Sequence, residues 1–167
     1  NIRSLNISLD TLHSEKFLKI TRRNVFNQVW ANIQTALLQD WKVKINVVIM
    51  RGVNEDEILD FVEWTLRQPV QVRFIEFMPF TGNQWQTNTV FTYQEILDLI
   101  ATRYEFEALF NHKNETAKNF KLTNALGTFA VISTMSVPFC AGCNRMRLTA
   151  DGKMKNCLFS KRLFHRS

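Results

Sequence analysis

Cysteine is scarce in this chain and is confined to one short segment. The 167 residues contain three cysteines, and all three lie in the stretch FCAGCNRMRLTADGKMKNCLF at residues 139–159. Secreted disulfide scaffolds are usually short and cysteine-dense, with an even number of cysteines. The low, odd count therefore argues against such a scaffold and favours thiolate chemistry in a reducing compartment.

Several other features are absent. The sequence has no run of about 18 apolar residues, so no transmembrane helix is predicted. Its first residues, NIRSLNISLDTL, contain no basic region followed by an apolar one, as a signal peptide would. No tract of five like charges indicates a nucleic-acid-binding tail. There is no initiator Met and a strand-like pattern begins at once, so we expect the chain to be a piece of a longer protein.

What is present is the composition of a soluble globular domain. Apolar residues make up 46% and charged residues 22% of the chain, which is ordinary for such proteins. The length is sufficient for one domain with a sizeable core. The formal net charge is +6, which favours an anionic partner such as a nucleotide, a nucleic acid or a membrane surface.

Apolar periodicity predicts alternating strands and helices. Strands alternate with period two or form continuous β-branched runs, whereas helices place apolar residues three and four apart. Two helix starts resemble capping boxes, one at 54–57 and one at 92–95. The predicted elements are strands at 3–10, 42–50, 70–78 and 129–135, and helices at 25–38, from the first capping box to Pro69, and from the second capping box to about residue 104.

The order of these elements is typical of an α/β fold with a parallel sheet. Residues 105–126 are weakly patterned. We expect residues 1–104 to form the α/β part and residues 105–167 to form an appended region of mixed strands that carries the cysteines. The two parts are expected to pack as one unit.

Polar residues interrupt three of the apolar strand patterns. Burying such groups without partners costs roughly 2–7 kcal/mol each, so they should meet one another, water or a ligand. One interpretation is a lined cavity at the carboxyl ends of the strands, where parallel sheets bind ligands; the other is a core ion pair between Lys44 and Glu76. The residues that share a face by alternation are Asn6 with Ser8, Lys44 with Asn46, and Glu76 with Met78, and Arg73 lies on the face opposite Glu76.

The cysteine segment has the spacing C-x2-C-x13-C, formed by Cys140, Cys143 and Cys157. Two thiolates at x2 spacing can bind one metal from a tight turn, and Asp151-Gly152 predicts a hairpin that returns the third thiolate to the first two. Soft thiolates suit zinc and iron–sulfur clusters. A structural zinc needs a fourth ligand, which His165 could supply, whereas a cluster with three protein ligands leaves one iron open.

Two arginines accompany the cysteines. Arg145 and Arg147 are two residues apart, so on a strand they share a face, and their guanidinium groups suit carboxylate, phosphate or base edges. Two cations beside an iron with an open ligand position would form a substrate site. A zinc ion with all four ligands from the protein has no need of neighbouring cations. The spacing alone leaves zinc, an iron–sulfur cluster and free reduced thiols as alternatives.

Four segments resemble one family. They are NISLDTL at 6–12, KINVVIMRGVNEDEILDF at 44–61, VRFIEFMPFTGNQW at 72–85 and the cysteine segment at 139–159. Together they are similar to the C-terminal part of the GTP 3′,8-cyclase family, also called the molybdenum cofactor biosynthesis protein A family. Its members are radical S-adenosylmethionine enzymes that catalyse the first step of molybdenum cofactor synthesis. The resemblance extends over nearly the whole chain.

The resemblance implies a fold and a reaction. The family fold is an incomplete (β/α)6 TIM-like barrel with an appended α+β iron–sulfur cap. Its reaction converts GTP to (8S)-3′,8-cyclo-7,8-dihydroguanosine 5′-triphosphate. One 4Fe–4S cluster, on a C-x3-C-x2-C motif, cleaves S-adenosylmethionine to a radical that removes hydrogen from the ribose C3′. A second 4Fe–4S cluster binds the GTP base through its open iron.

The resemblance also implies roles for residues of this chain. Motif matching assigns the second cluster to the three cysteines. The matched positions are Cys140, Cys143 and Cys157 for the cluster, Lys44, Arg145 and Arg147 for GTP, and Ser8 and Met78 for S-adenosylmethionine.

The departures from the family pattern limit what this chain can do alone. The C-x3-C-x2-C motif is not in the sequence, so we expect binding of GTP and one cluster but no turnover. The resemblance further implies a homodimer of the full-length enzyme and cyclic pyranopterin monophosphate synthase as the pathway partner, with no nucleic-acid or membrane partner. It also implies a mitochondrial matrix location in a eukaryote or a cytoplasmic one otherwise. Two other interpretations are a zinc-stabilised basic nucleic-acid-binding module and a non-catalytic chain that binds none of these ligands.

Overall fold

A mostly parallel six-stranded sheet organises the fold. The computed structural model describes residues 3–39, 41–79, 83, 85–112, 115–137, 146–155 and 157. The elements in chain order are β1 (Ser4–Ser8), α1 (Ser14–Thr21), α2 (Phe26–Leu37), β2 (Lys42–Ile49), a 3-10 turn (Glu55–Glu57), α3 (Ile58–Arg67), β3 (Val70–Glu76), a second 3-10 turn (Thr87–Thr89), α4 (Tyr93–Ala101), β4 (Phe106–Ala108), β5 (Lys118–Leu122), β6 (Thr128–Ile132), β7 (Arg147–Leu148) and β8 (Met154–Lys155).

The sheet has the strand order β1-β2-β3-β6-β5-β4. The first four of these strands run parallel, and β5 and β4 continue the sheet in antiparallel fashion. The predicted mixed α/β fold with a parallel core is therefore confirmed. Strands β4 to β6 lie beyond residue 104 and extend the same sheet, whereas β7 and β8 pair only with each other in the described part of the chain.

The two faces of the sheet differ in polarity because alternate residues of each strand point to opposite sides. On one face the apolar residues of the parallel strands meet in register, for example Ile45 beside Val72 and Val47 beside Phe74. These side chains are fully buried with residues of helices α3 and α4, including Phe61 and Ile96. The other face carries the polar residues of the same strands.

The two predicted capping boxes have different outcomes. At the start of α4, Glu95 N–H donates to Thr92 Oγ1 (3.4 Å) and Thr92 N–H donates to Glu95 Oε2 (2.9 Å), so this box is confirmed. The box at 54–57 is wrong, because Asn54 makes no capping bond to its own helix. Its amide Nδ2 donates instead to the carbonyls of Asp10 and Val48, which fixes the loop after β1.

Two parts of the chain contain elements that periodicity did not predict. Helix α1 has only one buried side chain, Phe17, and Leu18 beside it is 45% exposed, so its apolar residues do not form a repeating stripe. The weakly patterned stretch 105–126 contains the short strands β4 and β5. Among the described residues, no helix combines the length and apolar character needed to cross a membrane.

Candidate functional site

The polar face of the sheet is the candidate site. Parallel pairing places Lys44 of β2 between Asn6 of β1 and Gln71 of β3, and Gln71 beside Thr128 of β6. One step towards the carboxyl ends, a second row contains Ser8, Asn46 and Arg73. Paired residues of neighbouring strands project to the same side, so the two rows form one continuous polar surface.

A segment of the chain after β4 forms one side of this surface. Gln71 Nε2 donates to Asn119 Oδ1 (3.0 Å), and Asn119 donates through its backbone N–H (3.1 Å) and its Nδ2 (2.7 Å) to Asn111 Oδ1. These hydrogen bonds hold residues 109–112 and 115–119 beside the sheet. The space between them is an open cavity of about 540 Å³, lined on the sheet side by Lys44, Gln71, Arg73 and Thr128 and on the other side by Phe110 and His112.

Two polar groups on this face have no protein partner among the described residues. The Lys44 ammonium forms no hydrogen bond or ion pair there, and the buried Asn46 Oδ1 accepts no hydrogen bond. Buried polar atoms are nearly always paired in folded proteins, so such an atom needs water or a ligand. Arg73, by contrast, donates through Nη1 to Asn6 Oδ1 at 3.2 Å.

The interpretation that pairs Lys44 with Glu76 as a core ion pair is wrong. Lys44 lies beside Gln71 on the polar face, whereas Glu76 lies beside Ile49 on the helix face. The two side chains therefore project from opposite sides of the sheet. Glu76 is fully buried and accepts hydrogen bonds from Tyr93 N–H (2.7 Å), Met135 N–H (2.6 Å), Ser136 N–H (2.9 Å) and the Ser136 hydroxyl.

Ser8 and Met78 both lie at the edge of the sheet that the sequence indicated. Ser8 is the last residue of β1, and Met78 follows the end of β3 by two residues, so both lie at the carboxyl ends of parallel strands. The Met78 carbonyl accepts a hydrogen bond from Asn83 Nδ2 at 2.8 Å. Their contact with S-adenosylmethionine stays a prediction.

The sequence alone predicts no function for Arg73. Alternation within β3 places Arg73 on the face opposite Glu76 and gives no reason to include that face in a site. The structure places it in one row with Ser8 and Asn46 and on the same cavity as Lys44. The available signal was the strand spacing itself, because Arg73 and Gln71 share a face by alternation.

The predicted hairpin of the cysteine segment is confirmed. Strands β7 and β8 pair antiparallel with Arg147 opposite Lys155, and Gly152 adopts φ 79° in the turn between them. Hydrogen bonds from Lys153 and from the Thr149 hydroxyl lower the pKa of the turn residue Asp151 to about 2. Arg147 is exposed on this hairpin and Cys157 is exposed just after it.

The other residues predicted for the metal site and its flanking cations lie outside the described residues; they are Cys140, Cys143, Arg145 and His165. Within the described ranges, no three His, Cys, Asp or Glu side chains are grouped to hold a metal ion. Cys157 offers one exposed thiol as a ligand, and the three-cysteine set stays a prediction from spacing.

Two family models match the chain. The model described as Molybdenum Cofactor Synthesis C matches residues 70–165, which is more than half of the 167 residues. The model of the Radical SAM superfamily matches residues 1–65. Strands β1 and β2 thus fall in the second match, and β3 and all later strands fall in the first.

Curated relatives carry names of the same kind. The chain is 49% identical over 158 residues to "GTP 3',8-cyclase, mitochondrial" of Arabidopsis thaliana, covering 93% of this chain and 40% of that protein. It is 48% identical over 162 residues to "Molybdenum cofactor biosynthesis protein 1" of Drosophila melanogaster, covering 96% and 29%. It is 41% identical over 169 residues to "GTP 3',8-cyclase" of Desulforamulus reducens, covering 98% and 51%. The chain therefore spans only about half or less of the length of these relatives.

Proposed function

The chain belongs to the Molybdenum Cofactor Synthesis C family, and from this premise we propose that it is the GTP-binding part of a GTP 3′,8-cyclase. The proposed enzyme converts GTP to (8S)-3′,8-cyclo-7,8-dihydroguanosine 5′-triphosphate in the first step of molybdenum cofactor synthesis. The proposed fold of the whole enzyme is an incomplete (β/α)6 barrel to which β1, β2 and β3 contribute. Residues 1–104 and 105–167 would then act as one unit.

One observation carries this proposal. The polar face holds a lysine with no partner in the described part of the chain, next to a buried amide oxygen that also lacks one. Lysine binds phosphate as a point charge, and the adjoining cavity of about 540 Å³ lies within the usual range for small-molecule sites. A triphosphate would pair with Lys44 and lie within reach of Arg73.

Each remaining assignment follows from motif matching. We assign Arg145 and Arg147 to GTP, and Ser8 and Met78 to S-adenosylmethionine. The three cysteines would hold a 4Fe–4S cluster whose open iron supplies a ligand position for the guanine base. Because no C-x3-C-x2-C motif is present in the 167 residues, we expect no cyclised product from this chain alone.

Partners and location are proposed from the same family membership. The proposed pathway partner is cyclic pyranopterin monophosphate synthase, and the proposed assembly of the whole enzyme is a homodimer. The name of the Arabidopsis relative includes the word mitochondrial, which supports the mitochondrial matrix as the proposed location in a eukaryote.

Anaerobic iron–sulfur reconstitution of the chain tests the proposal. Iron, sulfide and zinc are quantified, and visible spectra are recorded with and without GTP. We expect about four irons per chain and a cluster spectrum that changes on GTP addition. Cys157→Ser should abolish this change. A colourless protein with one zinc, or a spectrum indifferent to GTP, would contradict the proposal.

A further inference from the structure

We propose that Glu76 is a positioning residue that fixes the turn from which the cysteine segment starts. The inference rests on the proposed function, because it concerns the segment that would hold the cluster. Glu76 ends β3 and is fully buried. Its side chain lies on the helix face, so it takes no part in the polar face that would contact GTP.

The contacts of Glu76 converge on one short turn. Its Oε2 accepts hydrogen bonds from Met135 N–H (2.6 Å) and Ser136 N–H (2.9 Å), and its Oε1 accepts one from the Ser136 hydroxyl. The Glu76 backbone carbonyl also accepts a hydrogen bond from the Thr134 hydroxyl (3.3 Å). The turn at 134–136 is therefore attached to the end of β3 through both the backbone and the side chain of one residue.

A helix end provides the remaining donor. Glu76 Oε1 accepts a hydrogen bond from the N–H of Tyr93 (2.7 Å), the first residue of α4. Unpaired N–H groups and the helix dipole both favour a negative charge at this position. No Lys, Arg or His among the described residues lies within ion-pair distance of Glu76. The carboxylate is held by three backbone N–H groups and the Ser136 hydroxyl, so a change of its chemistry acts directly on the turn and on α4.

Only a short segment joins the turn at 134–136 to the first cysteine. Cys140 follows Ser136 by four residues. An extended chain advances at most about 3.6 Å per residue, so four residues can span about 14 Å at most. Fixing the turn therefore fixes the starting point of the segment that carries the C-x2-C pair. A cluster site benefits from a fixed starting point, because its ligands must be held in a defined geometry.

Glu57 offers a matched comparison within the same chain. It is also almost completely buried, and it ties a helix start to a loop after a strand through Thr11 Oγ1 (2.7 Å) and Leu12 N–H (2.6 Å). Unlike Glu76, it has a cation partner, because Lys16 Nζ lies 2.8 Å from Glu57 Oε1. Its partners lie more than 120 residues before Cys140 in the sequence. Substitution of Glu57 thus controls for the general loss of a buried carboxylate.

The test compares Glu76→Gln with Glu57→Gln in the full 167-residue chain. Gln keeps the size of Glu but presents an N–H₂ group towards donors. The first readout is amide hydrogen exchange at 134–136 in the protein without iron. The second is the rate at which the reconstituted cluster loses iron to a chelator. Ser136→Ala, which removes one donor and keeps the carboxylate, should change both readouts in the same direction as Glu76→Gln, to a smaller extent.

We expect Glu76→Gln to speed exchange at 134–136 by about tenfold or more, since it disrupts bonds to a charged acceptor, and to speed iron loss. Glu57→Gln should leave both near wild type. Equal effects of the two substitutions, or wild-type behaviour of Glu76→Gln, would overturn the inference. A wild-type chain that takes up no iron would overturn the proposed function and the cluster half of this inference, whereas the exchange comparison would still decide whether Glu76 holds the turn.

Discussion

The two faces of the central sheet satisfy their polar groups in opposite ways. On the helix face, each buried carboxylate has several donors, as Glu57 and Glu76 do. On the other face, within the described residues, the Lys44 ammonium and Asn46 Oδ1 have none. On the helix side one amide nitrogen, Gln34 Nε2 of α2, also lacks a partner among the described residues. The contrast between the two faces therefore lies in their buried or half-buried charges, Glu57 and Glu76 against Lys44.

The two faces of the sheet are expected to contribute to different properties, the helix face to stability and the polar face to binding. Apolar burial stabilises a fold by roughly 25 cal/mol per Å² of buried surface, and here that surface belongs to the helix face. Unpartnered polar groups cost stability, so we expect Lys44 and Asn46 to act in binding rather than in folding. Substitutions on the two faces should therefore change different measured quantities.

The largest expected effect is on the helix face. Phe74→Ala removes a fully buried ring that contacts the Phe61 ring edge-on at 6.4 Å between centroids. We expect the free energy of unfolding to fall by about 3–5 kcal/mol, the usual cost of a large cavity in a core. Urea denaturation followed by circular dichroism measures it.

Gln71→Ala is the matched control on the polar face of the same strand. Its side chain is half-buried and bonds only Asn119 among the described residues, so a loss of about 1 kcal/mol is expected. Comparable losses for Phe74→Ala and Gln71→Ala would mean that the two faces contribute equally to stability and would refute the comparison.

The second effect is on binding. Lys44→Gln removes the unpaired cation of the polar face, and we expect the Kd for GTP to rise between about 10- and 100-fold, the worth of one charge-assisted contact. The free energy of unfolding should change by about 0.5 kcal/mol or less. Calorimetric titration of the reconstituted chain with GTP, repeated at higher salt, measures the loss and its electrostatic character.

Lys42→Gln supplies the control for that measurement. Lys42 lies on the same face of the same strand, two residues earlier and at the amino end, where it is exposed. It carries the same charge but does not line the cavity that Lys44 lines, so GTP affinity should remain near wild type. Equal losses for the two lysines would mean that net charge alone attracts GTP.

Much of the fold was predictable because most elements are long and periodic. The apolar, β-branched run of β2, the apolar stretch of β3 and the capping box at Thr92 were sufficient to predict those elements. The strand–helix–strand order then predicted their parallel arrangement. Helix α1 was not predictable, since a single buried Phe17 gives no repeat. The box at 54–57 failed because the same residue types that cap a helix can equally bond a distant loop, as Asn54 does with Asp10.

The site was predictable in part for a similar reason. Alternation identified Lys44, Asn46 and Ser8 as unusual residues in apolar strands, and they do share one face. Alternation within a single strand does not predict that Glu76 projects from the opposite side of the sheet to Lys44, Asn46 and Ser8. That depends on the register between β2 and β3. Long-range pairing alone reveals that Arg73 belongs with Asn46.

A third effect has the opposite sign from the first. Asn46→Leu replaces a side chain whose buried Oδ1 has no partner in the described structure by an apolar one of similar size. Removing an unsatisfied acceptor should raise the free energy of unfolding by about 1 kcal/mol and weaken the spectral response to GTP. Asn6→Leu, whose Oδ1 already accepts from Arg73, should give no such gain. A destabilised Asn46→Leu chain would show that the Asn46 amide is satisfied within the fold.

The smallest effect tests whether charged groups on the helix side stabilise the fold by pairing with each other. Partial burial raises the pKa of Glu95, but the Thr92 N–H, the Arg51 guanidinium at 2.6 Å and the Thr92 hydroxyl outweigh burial and hold the pKa at about 2, below the ordinary 4.5. A lowered pKa stabilises the fold above pH 4.5, and this contribution is lost as the pH falls towards 2. The pair is exposed to solvent, so less than about 1 kcal/mol is involved. Glu95→Gln and Arg51→Gln should each reduce the fall in melting temperature between pH 5 and pH 2.5, because each removes one partner of the ion pair. If the melting temperature of both variants falls with pH as steeply as that of the wild type, this pair, like Lys44, contributes nothing to folding.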